Sequence, residues 1–541
     1  MPNVNENLKY SRTVLHQNES FEVVAIDWCQ NSVTPAHNHG WSQCFVLIES
    51  GVFENTLDLG MKSERQLFEV GQVLNTPTGA RHEMRCLSPS GKTFHIYAPK
   101  IHERSELGTF KINSLNQLKP DLRLSEATSI ESLRKIIESI RQNSITTHSP
   151  YFMNQLFSGV LPQMLMAEDL ILQTKTTMAT FEASPAFSTI ESEVVEALGQ
   201  VIGWPRAFRD GVSVPGGSAA NFMALHCARQ KKFPEIKKTG MNGQKLCIFV
   251  SSESHYSFKK ACAALGLGTD QLITVTVDDR GRMKPESLDQ LMTESISHGF
   301  IPLMVSATSG TTVLGAFDPI DQLSEICKKH NVWLHVDGAW GGPVLFSEKS
   351  RHLVRGIEQA DSVTFDAHKL FGASLTCSFF LTRQAGILLE ANDVSGGDYL
   401  FHSDDPTADR GKLSWQCGRK ADAVSFWTIW KSLGTAGLGD FVDRLASIRE
   451  DIIPWIKDQP RMQLVADPDY LNVCVRINPP RKSMDAVNWS KHVRESLKEK
   501  NLAMVNYSTD AQGTFLRLIL AHPYLKTDHV KQILQWAVDV E

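Results

Sequence analysis

The stretch Ser362-Val-Thr-Phe-Asp-Ala-His-Lys369-Leu-Phe-Gly372 places a histidine and a lysine directly after a run of strand length. An ammonium group in an apolar pocket beside other positive groups loses its proton more easily, and only the neutral amine condenses with an aldehyde. The stretch therefore predicts a buried, reactive lysine, Lys369, at the end of a strand. A His-Lys pair is also common at protein surfaces, so this interpretation depends on companion motifs.

Around this stretch, apolar runs of strand length alternate with helical sequence, at residues 246–250, 272–277, 303–307, 333–336, 362–365 and 377–381. Repeated βα units predict a mostly parallel sheet that is covered by helices and binds ligands at the carboxyl ends of its strands. From about residue 431 onward, helices surround short strands at 471–477 and 514–520. This part is predicted to form a second, smaller α/β domain.

Three further motifs lie near the ends of these strands. Val214-Pro-Gly216-Gly217-Ser218-Ala-Ala-Asn221 precedes a helical pattern, so its backbone N–H groups and the helix N-terminus can bind a phosphate. Glu253-Ser-His255-Tyr256 and Val336-Asp337-Gly-Ala339 each follow a strand. Each motif taken alone is also compatible with an ordinary turn or helix cap.

Taken together, these motifs resemble the group II pyridoxal 5'-phosphate (PLP) decarboxylases of fold type I, which include glutamate and cysteine-sulfinate decarboxylases. The resemblance extends from about Tyr151 to the C-terminus. It implies that Lys369 forms the Schiff base, that the His255 ring stacks on the pyridine, and that Asp337 keeps the pyridine nitrogen protonated. The cofactor contacts that it implies are Gly217, Ser218, His255, Thr308, Asp337, Ala339, His368 and Lys369.

The same resemblance assigns substrate-binding residues. Arg517 in Phe515-Leu-Arg517-Leu matches the arginine that holds the substrate α-carboxylate, and Gln155 and Phe157 lie in a segment closer to the cysteine-sulfinate than to the glutamate enzymes. The family's mobile loop usually contains a tyrosine that reprotonates Cα, whereas residues 400–414 contain none. His402 and Tyr399 are the alternatives for that role.

The N-terminal segment has a different pattern. Short β-rich runs at 21–28, 44–49, 52–58 and 93–97 predict a small all-β barrel or sandwich. His37 and His39 are two residues apart on an extended segment, so their side chains point the same way, and His82 can complete a facial set of three. Such a set leaves coordination positions open on an iron ion, as oxygen chemistry requires. Surface histidines on turns are the alternative.

This segment, from about Tyr10 to Pro99, resembles cysteine dioxygenase, a thiol dioxygenase of the cupin superfamily. The resemblance implies ferrous iron bound by His37, His39 and His82, and a substrate carboxylate held by Arg12 beside Tyr10. It also pairs Cys44 with Tyr97, which form a thioether crosslink in part of the family, and places His95 against the tyrosine oxygen. The implied reaction adds both atoms of O2 to the sulfur of L-cysteine and yields cysteine sulfinate.

Composition and charge exclude several classes of protein. The 541 residues contain 55 basic and 60 acidic side chains, for a net charge of −5, so no basic surface for nucleic acid is expected. No apolar run approaches the roughly 20 residues of a membrane span, and the N-terminus lacks the layout of a signal peptide, which predicts a cytoplasmic protein. The ten cysteines include no CxxC pair and are expected to be reduced.

The predicted architecture is therefore multidomain: an all-β cupin barrel (1–118), a helical docking segment (119–147), a PLP-binding large domain of fold type I (148–430) and a small C-terminal domain (431–541). In the docking segment, apolar residues recur at helical spacing between Ile130 and Ile140. A homodimer is expected, because fold type I enzymes build their sites across a dimer interface.

The two resemblances together predict a bifunctional enzyme that oxidises L-cysteine with O2 and then decarboxylates the cysteine sulfinate to hypotaurine, the precursor of taurine. Two alternatives stay open. The decarboxylase could act on glutamate, aspartate or another acidic amino acid while the barrel oxidises a different thiol. Alternatively, the barrel could be a sensor or regulatory module without catalytic activity.

Overall fold

The computed structural model describes residues 3–4, 10–17, 22–34, 37, 43–58, 63–76, 81–98, 127–145, 147–394, 396–405, 407–481 and 484–541. The chain divides into two compact units, of which the first comprises residues 1–107 with 160–175 and 428–437, and the second the remainder. The domain boundaries that the sequence predicts at 118, 147 and 430 stay predictions. Within the described ranges, no helix has both the length and the apolar character needed to cross a membrane.

The N-terminal strands are antiparallel and form two sheets. They are β1 (Asn3–Val4), β2 (Tyr10–Gln17), β3 (Glu22–Cys29), β4 (Gln43–Ser50), β5 (Phe53–Asp58), β6 (Ser63–Phe68), β7 (Val73–Thr76), β8 (Arg81–Cys86) and β9 (Ser90–Ala98). The sheet orders are β1-β2-β3-β9-β4-β7 and β6-β5-β8. Side chains from both sheets, including Trp28, Val46, Phe53 and Met84, share one core. The strand-rich prediction is confirmed, and the cupin assignment stays a prediction.

After residue 127 the chain alternates between helices and strands. The first elements are α1 (Ile130–Asn143), β10 (Phe152–Met153), α2 (Gln163–Thr174), α3 (Pro185–Ile202), β11 (Asp210–Val214), α4 (Gly217–Lys232), α5 (Ile236–Thr239), β12 (Leu246–Ser251), α6 (Ser257–Ala264), β13 (Leu272–Val275), α7 (Pro285–Ser297), β14 (Ile301–Thr308), α8 (Ile320–His330), β15 (Trp333–Gly338), β16 (Ser362–Asp366) and β17 (Ser378–Thr382). They are followed by α9 (Ile387–Asn392), α10 (Asp422–Lys457), β18 (Met462–Leu464), β19 (Asn472–Ile477), α11 (Trp489–Glu499), β20 (Met504–Asp510), β21 (Gly513–Ile519) and α12 (Thr527–Val538).

A seven-stranded sheet in the order β11-β17-β16-β15-β14-β12-β13 forms the centre of the second unit. From β16 to β13, each pair of neighbouring strands is parallel. Strand β17 is antiparallel to both of its neighbours, β16 and β11. Every residue of β12, β15, β16 and β17 is buried, because helices cover both faces of such a sheet. The predicted strands and the mostly parallel α/β fold are therefore confirmed.

The C-terminal strands form a separate five-stranded sheet in the order β10-β20-β21-β19-β18. Its pairs are antiparallel except for β10 with β20. Strand β21 is buried along its whole length, which places Arg517 in the interior of the unit. The predicted smaller α/β region is thus present. Its sheet includes β10, which precedes the strands of the large sheet in the sequence.

Helix α1 forms the predicted helix of the docking segment, and its docking stays a prediction. On its apolar stripe, Ile130, Leu133, Ile137 and Ile140 are exposed, and Ile136 is half-buried. The packing of this face is therefore not seen among the residues that the structure describes. An amphipathic pattern shows that one face is apolar, and it does not identify what covers that face.

A fully buried ion cluster connects α3 to the segment before α10. Glu191 receives hydrogen bonds from Arg419 Nη1 (3.0 Å) and from Arg410 Nε (3.2 Å), and it also accepts from the backbone N–H of Ser213. Burial alone would raise the pKa of Glu191, but the two guanidinium groups lower it from 4.5 to about 2. A depressed carboxylate pKa stabilises the fold above the unfolded value and loses that contribution as the pH falls toward 2.

We expect Glu191→Gln to lower the free energy of unfolding by about 3 kcal/mol or more near neutral pH, because two guanidinium groups stay buried without their anion. Urea unfolding followed by circular dichroism measures this. Glu196→Gln on the same helix is the matched control: Glu196 pairs with Arg209 at a more exposed position, so its loss should cost about 1 kcal/mol or less. Equal losses in the two variants would contradict the interpretation, as would a difference that does not shrink below about pH 4.

Candidate active site

The predicted residues of the second unit converge at the carboxyl edge of the seven-stranded sheet. Thr308 at the end of β14 lies opposite Asp337 on β15, and Asp337 lies opposite Thr364 on β16. The parallel order of these strands places their ends at one edge. Lys369 follows β16 by three residues. The sheet thus assembles, at one place, residues that are far apart in the sequence.

Lys369 lies at this edge and has an anionic partner. Its Nζ is 3.1 Å from Asp366 Oδ2, and its side chain is 21% exposed whereas that of Asp366 is only 1% exposed. Lys369, which the sequence predicts to be buried, is therefore partly exposed. The neighbouring His368 is buried, with its Nδ1 3.0 Å from the carbonyl oxygen of Cys377.

His255 follows β12 and interacts electrostatically with the same group of residues. Burial lowers the pKa of its imidazole; Asp337 opposes this effect, and the positive charge of Lys369 reinforces it. The His255 Nδ1 accepts a hydrogen bond from the backbone N–H of Ser257, at 3.3 Å. A lowered pKa favours the neutral ring, which is suited to stacking on a flat aromatic ligand.

Asp337 is held from two sides. Asn221 Nδ2 donates to its Oδ2 at 2.7 Å, and the backbone N–H of Ala339 donates to its Oδ1 at 3.1 Å. The orientation of the Asn221 amide is set by Asp337, because a carboxylate oxygen only accepts; the Asn221 oxygen correspondingly accepts from Thr364 Oγ1 (2.7 Å) and lies 3.1 Å from His335 Nε2. Its NH2 group therefore faces the carboxylate.

Asn221 belongs to the predicted phosphate-binding motif, but the sequence gives no indication of its contact with Asp337. Asn221 belongs to α4 and Asp337 to β15, separated by 116 residues. The signal in the sequence is an asparagine one turn into a helix start that consists otherwise of Gly, Ser and Ala. Burial lowers the pKa of the neighbouring His335 to about 3, so this network stays neutral around Asp337.

The residues present fit the expected cofactor. Gly216, which immediately precedes α4, has a φ of +101°, a conformation that favours glycine, and a Cβ on Gly217 would lie 2.6 Å from Asp366 Oδ2. Ser218 is exposed at the same helix start. The buried Thr308 Oγ1 has no hydrogen-bond partner among the described residues, so it has a donor to offer a ligand. An open helix N-terminus and an unpaired hydroxyl are features that suit a phosphorylated ring.

On the substrate side, Arg517 is buried and mostly engaged with backbone. Its Nη1 donates to the Thr312 carbonyl at 2.8 Å and its Nη2 to the Asn154 carbonyl at 2.9 Å, while its Nε has no partner within the described ranges. Gln155 is exposed, and Phe157 is half-buried with its ring 6.4 Å from that of Phe152. The roles assigned to these residues stay predictions.

Neither alternative for the missing loop tyrosine is buried in the structure. Tyr399 is 81% exposed. The His402 side chain is also exposed, and its Nδ1 lies 3.3 Å from Glu182 Oε2. Both therefore lie at the surface.

The N-terminal unit contains a second buried polar cluster. Cys44 on β4 and Tyr97 on β9 are directly opposite partners in the sheet. The Tyr97 hydroxyl lies 3.1 Å from His95 Nδ1, and the Cys44 sulfur lies 3.9 Å from the same atom. Thr93 Oγ1 is 2.9 Å from His95 Nε2. The contact that the sequence predicts between His95 and the tyrosine oxygen is therefore present.

His37 and His82 are brought together by the backbone. Each donates its N–H to the carbonyl of the other, at 3.0 and 2.8 Å, and their ring centroids are 4.9 Å apart. His39 lies outside the described residues, which contain no cluster of three potential metal ligands. The three-histidine iron site therefore stays a prediction. Arg12 Nη2 donates to Glu22 at 2.8 Å, and Tyr10 is buried in the core of the unit.

Comparison with known families supports the geometry of the second unit. The model of the pyridoxal-dependent decarboxylase conserved domain matches residues 114–478, which is more than half of the chain. The chain therefore belongs to the PLP-dependent decarboxylase family, and PLP is its cofactor. Residues 1–113 lie outside this match.

Similar curated proteins include cysteine sulfinic acid decarboxylases and acidic amino acid decarboxylases. The chain is 38% identical over 426 residues to cysteine sulfinic acid decarboxylase of Mus musculus, covering 76% of this chain and 86% of the relative. It is 36% identical to acidic amino acid decarboxylase GADL1 of Homo sapiens, covering 77% and 83%. The crystal structure of the mouse cysteine sulfinic acid decarboxylase in apo form superimposes with a TM-score of 0.75 at 35% identity, over 80% of this chain and 93% of that one.

We expect Asn221→Leu to weaken PLP binding about tenfold or more, because Asp337 loses a charge-assisted hydrogen bond of about 1.5–3 kcal/mol. Fluorescence titration of the cofactor-free protein with PLP measures the dissociation constant. Gln230→Leu is the matched control, since Gln230 is also a buried polar residue and lies about two and a half turns further along α4. Equal affinities for the two variants would show that Asn221 does not position Asp337.

Proposed function

We propose that the second unit decarboxylates cysteine sulfinate to hypotaurine and CO2. The observation that supports this most is the convergence of Lys369, Asp337 and His255 at one sheet edge, in a chain 38% identical to a cysteine sulfinic acid decarboxylase. The buried Arg517 supplies a cation for the substrate carboxylate. A homodimer is the expected assembly for this unit.

Each residue has a distinct task in this proposal. Bound PLP supplies an electron sink for the negative charge that remains on Cα when CO2 departs. Asp337, fixed by Asn221, holds a proton on the ring nitrogen of the cofactor. The neutral His255 covers the ring face, and Lys369 supplies the amine that binds the cofactor. The Thr308 hydroxyl, which has no partner among the described residues, donates a hydrogen bond to the cofactor.

We further propose that the N-terminal unit oxidises L-cysteine to cysteine sulfinate at a ferrous iron held by His37, His39 and His82. The tautomer of His82 supports a role as an iron ligand. Its Nδ1 lies 2.8 Å from Asn55 Oδ1, an atom that only accepts, so Nδ1 bears the proton and Nε2 the lone pair. A histidine whose other nitrogen donates to an oxygen is the usual arrangement at a metal site.

The groups around this centre have the chemistry that such a substrate needs. Arg12 is only partly exposed and presents a planar guanidinium that can hold a carboxylate. Burial raises the pKa of the Cys44 thiol to about 12, so this cysteine stays a thiol next to Tyr97 at neutral pH.

A second candidate for the decarboxylase is another acidic substrate. The 36% identity to the acidic amino acid decarboxylase GADL1 favours aspartate or glutamate as alternatives. The N-terminal unit would then act on another thiol or serve as a sensor. Consecutive reactions favour the first proposal, because the product of one unit would be the substrate of the other.

We expect the protein, supplied with L-cysteine, O2, ferrous iron and PLP, to form hypotaurine, and Lys369→Ala to stop at cysteine sulfinate. The reason is that only the second step needs the lysine amine. Mass spectrometry of the products measures both. If cysteine is unchanged while added aspartate or glutamate loses CO2 faster than added cysteine sulfinate, the second candidate replaces the first.

We expect His82→Ala to abolish oxygen consumption with L-cysteine while CO2 release from added cysteine sulfinate stays within about twofold, because the two reactions use separate sites. An oxygen electrode and CO2 assay measure the two rates. His16→Ala, an exposed histidine on β2, is the matched control and should retain both activities. Full oxygen consumption by His82→Ala would overturn the iron site, and no oxygen consumption by the unmodified protein would favour the sensor.

A further inference from the structure

Asp366 is a buried carboxylate at the active site that has no role in the proposed reaction so far. It is the last residue of β16 and is 1% exposed. Its Oδ2 lies 3.1 Å from Lys369 Nζ and 3.9 Å from His368 Nε2. Its Oδ1 is buried without a hydrogen-bond partner among the described residues. A buried carboxylate with one cationic contact and one unpaired oxygen is costly to maintain.

Asp366 also lies close to the expected phosphate site. Its Oδ2 would lie 2.6 Å from a Cβ on Gly217, so the carboxylate is packed against the first residue of α4, where the phosphate is expected. The helix N-terminus stabilises an anion, but a fixed anion at this place also repels the phosphate. Cofactor binding alone therefore gives no reason for an aspartate here, whereas the lysine nitrogen does.

The other titratable groups around the pair come from several elements. His255 after β12 interacts with both Asp366 and Lys369, and Asp337 on β15 interacts with His255. Cys377, just before β17, also interacts electrostatically with Asp366. Burial favours the neutral forms of His255 and Cys377, so neither neutralises Asp366. Of these neighbours, Lys369 Nζ is the cation nearest to the carboxylate.

We propose that Asp366 is the counter-ion of Lys369: its carboxylate holds a proton on the lysine nitrogen and so sets the pH range in which the chain captures PLP. Asp366 is thus a positioning residue that acts through Lys369. The inference rests on the assignment of Lys369 as the PLP-binding lysine, and it holds whichever acidic amino acid is the substrate.

The proton balance of capture shows where the carboxylate acts. The ammonium of Lys369 gives up one proton before its nitrogen attacks the PLP aldehyde carbon. A C=N bond then forms, one water leaves with the aldehyde oxygen, and the C=N nitrogen takes up one proton. Asp366 opposes the first proton loss and stabilises the final protonated nitrogen. It therefore slows capture at neutral pH and preserves the protonated, more electrophilic C=N bond afterwards.

The test compares the PLP-free protein with Asp366→Asn, which has the same shape without the charge. Stopped-flow absorbance after mixing with PLP gives the capture rate at each pH. We expect the pH of half-maximal capture to fall by about one unit or more in the variant, with capture about tenfold faster near neutral pH. The pH at which the visible absorbance of the lysine-bound cofactor changes should fall in parallel.

Two controls make the result specific. Asp361→Asn removes an aspartate just before the other end of β16, where it contacts Gln384 and Arg383, and should leave both pH midpoints unchanged. Asp366→Glu keeps the charge and should stay nearer to the unmodified protein than to Asp366→Asn. Should Asp366→Asn fail to fold, Asp366→Ser removes the same charge with a smaller side chain and gives the same comparison.

Unchanged midpoints in a folded Asp366→Asn or Asp366→Ser variant would overturn the proposal, as would equal shifts in Asp366→Glu and Asp366→Asn. Borohydride reduction of the PLP-loaded protein followed by peptide mapping separates this failure from a wrong lysine. If Lys369 carries the label and the pH midpoints are unchanged, only the proposed counter-ion role of Asp366 is refuted. Label on another lysine refutes the assignment on which the proposal rests.

Discussion

The parallel alignment of β14, β15 and β16 is the constraint on which the rest of the second unit depends. Parallel pairing places Thr308 opposite Asp337 and brings the segment with Lys369 to the same edge. The strands can pair in this way because both faces of the sheet are buried under helices. A shift of one residue in β15 would turn Asp337 to the opposite face of the sheet.

Around this edge the protein maintains several buried charges, each held by a different means. Asp337 is fixed by an amide that has only one possible orientation, and Glu191 by two guanidinium groups. Asp366 has a single cation and one unpaired oxygen. A fully paired buried charge helps to hold the fold together. An incompletely paired buried charge destabilises the folded protein, and a bound ligand can change that unfavourable free energy. This difference separates the structural anchor at Glu191 from the groups near Lys369.

The N-terminal unit follows another physical principle. Its polar side chains face inward between two antiparallel sheets, because alternate residues of β9 point to the same face and place Thr93, His95 and Tyr97 together. Burying such a row is unfavourable unless each group has a partner, and here each contacts the next. A polar row inside a small core is therefore a candidate site, although residues 1–113 lie outside the family match.

The sequence by itself determined the alternation of strands and helices, the motif residues at the strand ends, and the pairing of His95 with Tyr97, because these depend on local periodicity. Tertiary structure decided what no local pattern contains: the contact of Asn221 with Asp337, the position of Asp366 against Gly217, and the partial exposure of Lys369. These depend on which elements become neighbours after long stretches of chain. A periodic pattern specifies which face of an element is apolar, whereas the partner of a buried charge is specified only by the packing of the whole fold.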